Sequence, residues 1–198
     1  MTKCGKRDVN IMKKYIYGFI ISAFLGIMLG TITEILLIFN IKWLIHITQN
    51  EFFWVFVAIL ISIFSKDYLS TEINSVSSLI FMVISYYTAR LIKSGYTNIG
   101  GIYWYGIEAI CVGMYVGTFV YFIKEKIINK KVNNYIVKYS FIFMTLFFLF
   151  GFVINYYFLY KKIIFMQPVY FISILSIFGY ILGTILGVKK NKKYVNND

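Results

Sequence analysis

The chain alternates between long apolar runs and short, mostly basic connections. Six runs resemble membrane spans, although the second is shorter than the roughly 20 residues that cross a bilayer. Backbone amides in lipid must find partners within the membrane, and these runs are continuously apolar rather than alternating, so the pattern predicts helices and not a β-barrel. The chain is therefore predicted to be an all-α polytopic membrane protein, a bundle of six transmembrane helices over 15–39, 52–64, 76–92, 102–123, 141–160 and 169–188.

Basic residues set the predicted orientation. With six spans, fifteen of the 20 Lys and Arg residues fall on the side that holds both termini. Because basic loops stay in the cytoplasm, both termini are predicted to be cytoplasmic. If the short second run did not cross, nine would lie inside and eleven outside, so the bias favours six spans. The predicted organisation is a basic tail over 1–14, a transmembrane domain over 15–188 and a basic tail over 189–198.

Composition supports a lipid environment. Apolar residues make up 60% of the chain and charged residues 14%, against about a quarter charged in soluble domains. The net charge of +12 is therefore attributed to loops that face anionic lipid headgroups, with the bilayer as partner and no nucleic acid. Cys4, Cys111 and the single histidine, His46, lack the spacing of metal ligands, so neither a metal nor a cofactor is expected.

The segment over 40–51 combines an apolar and a polar helical face. Ile41, Leu44 and Ile45 share one face, while Lys42 and His46 lie on another. This pattern predicts a short amphipathic helix on the outer surface. An ordered loop packed over the helices remains the alternative.

Small residues recur every fourth position in three of the spans. Such rows let helix backbones approach closely, so the three rows are expected to meet one another. Internal packing and docking of a second copy or another membrane protein remain open, as does an inverted repeat that relates spans one and four. The rows are Gly18, Ser22, Gly26 and Gly30; Ala109, Gly113 and Gly117; and Gly179, Gly183 and Gly187.

Three charged residues lie inside predicted spans, all in the outer half. Glu34, Arg90 and Glu108 are costly in hydrocarbon and are expected to line a common cavity. Trp104 and Tyr115 are predicted walls of that cavity, because aromatic rings beside a carboxylate suit a cationic or ring-shaped solute. The alternatives are that Glu34 and Arg90 reach the headgroups, and that Arg90 and Glu108 form a structural bridge.

No catalytic motif stands out in the sequence, so an enzyme is the least favoured class. The leading hypothesis is a transport component that binds a small solute or an ion. The second is a scaffold whose glycine faces dock another membrane subunit.

A further signal comes from aromatic and glycine landmarks between 18 and 124: the Gly26–Gly30 pair, Trp54, the stretch from Met82 to Tyr86-Tyr87, and Trp104 leading to Gly113 and Gly117. With these landmarks, about half of the chain resembles a family of small multi-pass bacterial membrane proteins that has no assigned function. The resemblance implies the same topology, a location in a bacterial cell membrane and no particular chemistry. In size and helix number the chain also looks like the substrate-binding subunits of energy-coupling vitamin transporters, a likeness of architecture alone.

Overall fold

The fold is all-helical throughout the part of the chain that the structure describes. It is a computed structural model, and it describes residues 3–39, 42–48, 51–129, 134–160 and 168–195. The prediction of an all-α polytopic bundle is confirmed. The helices within these ranges are α1 (Lys3–Ile38), α2 (Lys42–Thr48), α3 (Glu51–Ile63), α4 (Tyr68–Ser94), α5 (Ile99–Asn129), α6 (Tyr135–Tyr160) and α7 (Pro168–Val195).

Among the described residues, five helices are long and apolar enough to cross a membrane. Their apolar parts are Tyr15–Leu37, Tyr68–Ser94, Ile99–Ile127, Tyr135–Ile154 and Phe171–Asn191. The helix α3 is shorter, with an apolar stretch over Phe53–Ile63. The helical backbone of α1 and α7 also runs into the predicted basic tails, to Lys3 and Val195. The protein is therefore embedded in a membrane through helices.

The short helix α3 returns the chain across the bundle. The helices α1 and α4 run parallel, with Gly18 beside Asn74 at one end and Gly30 beside Ser85 at the other. Because α1 and α4 run in the same direction, the part of the chain that connects them must return in the opposite direction. The Trp54 ring meets Tyr86 at a centroid distance of 6.1 Å, and Asn74 Nδ2 donates to Ser65 Oγ at 2.8 Å, so α3 runs antiparallel to α4. At 1.5 Å per residue, α3 covers about 20 Å of a hydrocarbon core that is about 30 Å thick.

The connections on either side of α4 define the two ends of the bundle. The Gly95 end holds the 95–98 connection, and the Ser65 end holds the 64–67 connection. At the Ser65 end, Lys124 Nζ donates to the carbonyl oxygens of Ile63 at 2.9 Å and Ser65 at 2.5 Å. The last carbonyls of a helix lack partners within it and attract cations, so this lysine from α5 completes the short α3.

The helix α4 begins earlier than the sequence predicted. Its first residue is Tyr68, whereas the predicted span began at 76. Asp67 caps the helix, because its side chain accepts from the Ser70 N–H at 2.9 Å while Ser70 Oγ accepts from the Asp67 N–H at 3.3 Å. The helix ends at Gly95, whose φ of 67° is left-handed and whose N–H donates to Leu91 O at 2.8 Å. The extra turns bring Glu72 into the bundle.

The glycine rows do not meet one another as expected, because the glycines of each row lie against a helix that carries none of the three rows. A Cβ on Gly26 would overlap the Ser78 carbonyl oxygen of α4. From α5, Gly117 lies so close to Glu72 that a Cβ would stand 2.8 Å from its Cα atom. The row of α7 packs on α6, where a Cβ on Gly183 would overlap the Tyr139 carbonyl oxygen. The helix α4 is thus held between α1 and α5, and α7 pairs with α6.

The predicted helix in the 40–51 segment is present over Lys42–Thr48, while residues 40, 41, 49 and 50 lie outside the described ranges. Trp43 is exposed, and Thr48 is buried. Trp54 Nε1 donates to the Thr48 carbonyl oxygen at 2.6 Å. This bond connects the last residue of α2 to the first turn of α3.

Candidate functional site

A cavity of about 330 Å³ lies between α3, α4 and α5 towards the Gly95 end. Small-molecule sites are typically concave, of roughly 300–1,000 Å³, mostly apolar and furnished with a few polar groups. This cavity has that composition: an apolar floor, four aromatic rings and two charged side chains. Its lining is Trp54, Val55, Leu79, Val83, Tyr86, Tyr87, Arg90, Tyr105, Glu108, Ala109 and Val112.

The aromatic wall is one connected group. Trp54 from α3 meets Tyr86 edge-on, and the Tyr86 and Tyr87 rings lie 5.2 Å apart. Tyr105 from α5 continues the wall at 6.1 Å from Tyr87. Edge-to-face and tilted contacts at these distances are favourable and restrict ring movement. The rings therefore form a fixed surface on which a planar or cationic group can rest.

A second cavity of about 370 Å³ adjoins the first, and Tyr86 and Arg90 line both. Glu34 is 3% exposed and lines the second cavity. Its Oε2 atom has no hydrogen-bond partner among the described residues, and Lys93 Nζ lies 4.0 Å from it. The Arg90 side chain lies beside Tyr86. A buried carboxylate oxygen without a hydrogen bond is costly, so this oxygen is available to a solute or an ion.

The three charged residues that were predicted to share one cavity line two adjoining cavities, and the two predicted aromatic walls line neither. Arg90 shares one cavity with Glu108 and the other with Glu34. Neither Trp104 nor Tyr115 lines either cavity. Tyr115 instead packs against α6, with its ring 5.8 Å from that of Phe141.

Helix geometry explains this separation. The lining residues of α5 are spaced as one helical stripe, at 105, 108, 109 and 112. The positions 104, 111 and 115 lie roughly 100° further around the same helix, at 3.6 residues per turn. That second stripe is turned towards α6 and α7, where Cys111 meets Ser173 and Ser176. Glu108 stands at the border of the two stripes, which is why the sequence grouped it with Trp104 and Tyr115.

The real walls were not predicted from the sequence as site residues. Tyr86 and Tyr87 precede Arg90 by about one helical turn, and Trp54 opens the short α3. A tyrosine pair one turn before an intramembrane arginine places rings and charge on the same side of a helix, so this spacing was a usable signal. The contribution of α3 depended on its place in the bundle, which local spacing does not encode.

A second polar cluster lies at the Ser65 end, around Glu72. Thr118 Oγ1 donates to Glu72 Oε1 at 2.8 Å, and the Tyr180 hydroxyl donates to Oε2 at 2.5 Å. The Tyr68 hydroxyl lies 3.4 Å from both Thr118 Oγ1 and the Tyr180 hydroxyl. This cluster joins α4, α5 and α7. The sequence missed it because Glu72 was taken as part of a polar connection.

Comparisons of the chain with family models, curated proteins and solved structures find no match. The resemblance to a family of small bacterial membrane proteins therefore stays a prediction. Within the described ranges, no group of three or more His, Cys, Asp or Glu residues comes together in a way that could hold a metal ion.

Proposed function

We propose that the chain is a non-enzymatic membrane protein that binds a small solute at the Gly95 end and serves as a transport component. The observation that supports this most is the 330 Å³ cavity in which Arg90 and Glu108 stand beside a wall of four aromatic rings. Charged groups at membrane depth are expensive and mark substrate or ion pathways. Two charges of opposite sign on one cavity offer a bound solute two points of electrostatic contact.

The lining indicates the class of solute. The aromatic wall offers contact area to an apolar ring, and rings that face a cation add about 0.5–2 kcal/mol. Glu108 provides a charge for an ammonium group, and Arg90 provides one for a carboxylate. The site therefore suits a compact solute that combines an apolar ring with an amine, a carboxylate or both.

The scaffold hypothesis has less support. That hypothesis requires the glycine rows to be accessible to another protein. Gly26, Gly117 and Gly183 each lie against a neighbouring helix of the same chain. Close approach at these rows is thus already used for internal packing.

The orientation is also part of the proposal, with both termini in the cytoplasm and the Gly95 end outside. It is supported by the charge bias and by Lys124 at the Ser65 end. We expect an impermeant thiol reagent, added to intact cells, to label single cysteines placed at Asn50 and Ser94 but not at Asn133 and Asp198. Labelling of position 133 from outside would contradict this orientation.

Water access to the cavity tests the proposed function. In a chain without its native cysteines, Ala109→Cys should react with the cationic reagent methanethiosulfonate ethylammonium, because Ala109 lines the cavity although only 6% of its surface is exposed. Tryptamine, which carries a ring and an ammonium group, should slow this reaction by occupying the same space. The measurement is the labelling rate followed by mass spectrometry.

Ala23→Cys is the matched control, because Ala23 is similarly buried at 8% but lines neither cavity. It should stay unlabelled at the same reagent concentration. Equal labelling rates at positions 23 and 109, or a rate at 109 that tryptamine does not change, would count against a solute cavity.

A further inference from the structure

The carboxylate of Glu72 is a titratable group inside the bundle that the solute cavity does not use. Its side chain belongs to α4, lies within the membrane-spanning part and is 7% exposed as a residue. Both of its oxygens accept hydrogen bonds from hydroxyl groups of other helices. Among the described residues, no Lys or Arg forms an ion pair with it. A carboxylate at this depth without a cation needs an explanation.

The surroundings of Glu72 supply hydroxyl groups rather than charges. Tyr68 faces it from α4, Thr118 from α5 and Tyr180 from α7. The helix α5 also brings the Gly117 backbone against Glu72. In the described part of the chain, no titratable side chain of α1 or α3 is among the groups that act on Glu72. A ligand that neutralises the carboxylate would remove the cost of a charge in this setting.

The proton is the ligand that fits best. Neither of the two cavities described above includes Glu72 among its lining residues. The hydroxyls of Thr118 and Tyr180 already lie at hydrogen-bond distance from the two carboxylate oxygens, at 2.8 and 2.5 Å. A proton needs no volume, and hydroxyl groups can switch between donating and accepting hydrogen bonds.

We propose that the Glu72–Tyr180–Tyr68 cluster is a proton-binding site within the membrane. In the charged form, Tyr180 donates to Glu72 Oε2. On protonation, a hydronium ion at the Ser65 end gives its proton to the cluster and leaves as water, and an O–H bond forms at Oε2. That group then donates to the Tyr180 oxygen, and the Tyr180 hydrogen turns towards the Tyr68 oxygen 3.4 Å away. The Tyr68 hydrogen, which was directed at Tyr180, turns towards Thr118 Oγ1. One positive charge enters, and the carboxylate becomes neutral.

The position of the cluster gives the proton a short route. Glu72 lies four residues after Tyr68, the first residue of α4, which is about 6 Å along the helix axis. Tyr68 is half-buried. Its hydroxyl group lies beside the Thr118 and Tyr180 hydroxyls that contact the carboxylate. The site also joins α7, and with it the α6–α7 pair, to α4, so protonation changes the hydrogen bonds that hold the two parts together.

Infrared difference spectroscopy of the full chain in lipid tests this site. Spectra recorded between about pH 4 and about pH 9 should show the carbonyl band of a protonated carboxylic acid that fades as pH rises. Glu72→Gln should remove this component. Tyr180→Phe should keep the band but shift both its frequency and the pH at which it is half-formed, because the short hydrogen bond to Oε2 is lost.

Tyr103→Phe is the control for the tyrosine change, because Tyr103 is 70% exposed on α5 and away from the cluster. It should reproduce the wild-type spectra. The proposal is overturned if Glu72→Gln leaves the pH-dependent band unchanged, or if Tyr180→Phe behaves like Tyr103→Phe. It is also overturned if added Na⁺ displaces the titration at constant ionic strength, which would identify a metal-cation site instead. Because Tyr180→Phe keeps the carboxyl group, the test survives a failure of Glu72→Gln to fold.

Discussion

Replacing Gly26 by alanine is expected to lower the free energy of unfolding by about 1–3 kcal/mol, or more where the backbone cannot shift. The added Cβ would overlap the Ser78 carbonyl oxygen and stand 3.1 Å from the Phe81 Cβ. A carbonyl oxygen in a helix cannot turn aside as a flexible side chain would. The helices α1 and α4 must therefore move apart, and the contact between Ser85 Oγ and Gly26 O, now 3.4 Å, lengthens. Denaturant or thermal unfolding in detergent measures the loss.

Gly106→Ala provides a matched control within the same bundle. A Cβ at Gly106 would meet nothing within 4 Å, although this glycine also lies within a helix. The substitution should leave stability unchanged or raise it by up to about 1 kcal/mol, because alanine favours the helix more than glycine. Similar destabilisation by the two substitutions would show that the glycine contacts between α1 and α4 are not as described.

The second large effect is expected at the two charges of the cavity. Glu108→Gln should weaken tryptamine binding at least tenfold, about 1.4 kcal/mol, and change indole-3-acetate binding little. Arg90→Gln should do the opposite, because the guanidinium is the charge that faces a carboxylate. Glutamine keeps the shape of glutamate, whereas it is shorter than arginine, so Arg90→Gln also adds some space to the cavity. Dissociation constants for the two compounds measure the effect.

A structural bridge between Arg90 and Glu108 makes a different prediction. Either substitution would then lower stability by a similar amount and affect the two compounds equally. Lys66→Gln serves as a control for loss of one positive charge, because Lys66 is exposed at the opposite end. It should leave both binding and unfolding unchanged.

Continuous apolar runs made the helices predictable, and this is why the all-α bundle could be inferred from the sequence. The beginning of α4 could not be inferred in the same way. Its first half carries Ser70, Thr71, Glu72, Asn74 and Ser75, all of them buried. A stretch this polar resembles a loop when hydropathy is averaged along the chain. In the bundle those side chains face other helices, where polar groups find hydrogen-bond partners.

The sequence also did not show which helices pack against one another. The spacing of Gly26 and Gly30 identified a face suited to close approach, but the same spacing occurs in α5 and α7. Nothing local distinguishes which helix fills which groove, so the expectation that the rows meet one another was wrong. The charges of the site were found because Arg90 and Glu108 are exceptional within apolar runs. The ring of Tyr86 was not singled out, since tyrosine is common in this chain.

Saturable solute binding tests the central claim most directly. The purified wild-type protein in lipid nanodiscs should be titrated with indole, tryptamine, tryptophan and indole-3-acetate, and empty nanodiscs should correct for partition into lipid. We predict one saturable site for at least one charged compound, with an affinity at least tenfold higher than for neutral indole. Binding of all four compounds that never exceeds their partition into empty nanodiscs would contradict the proposed solute site.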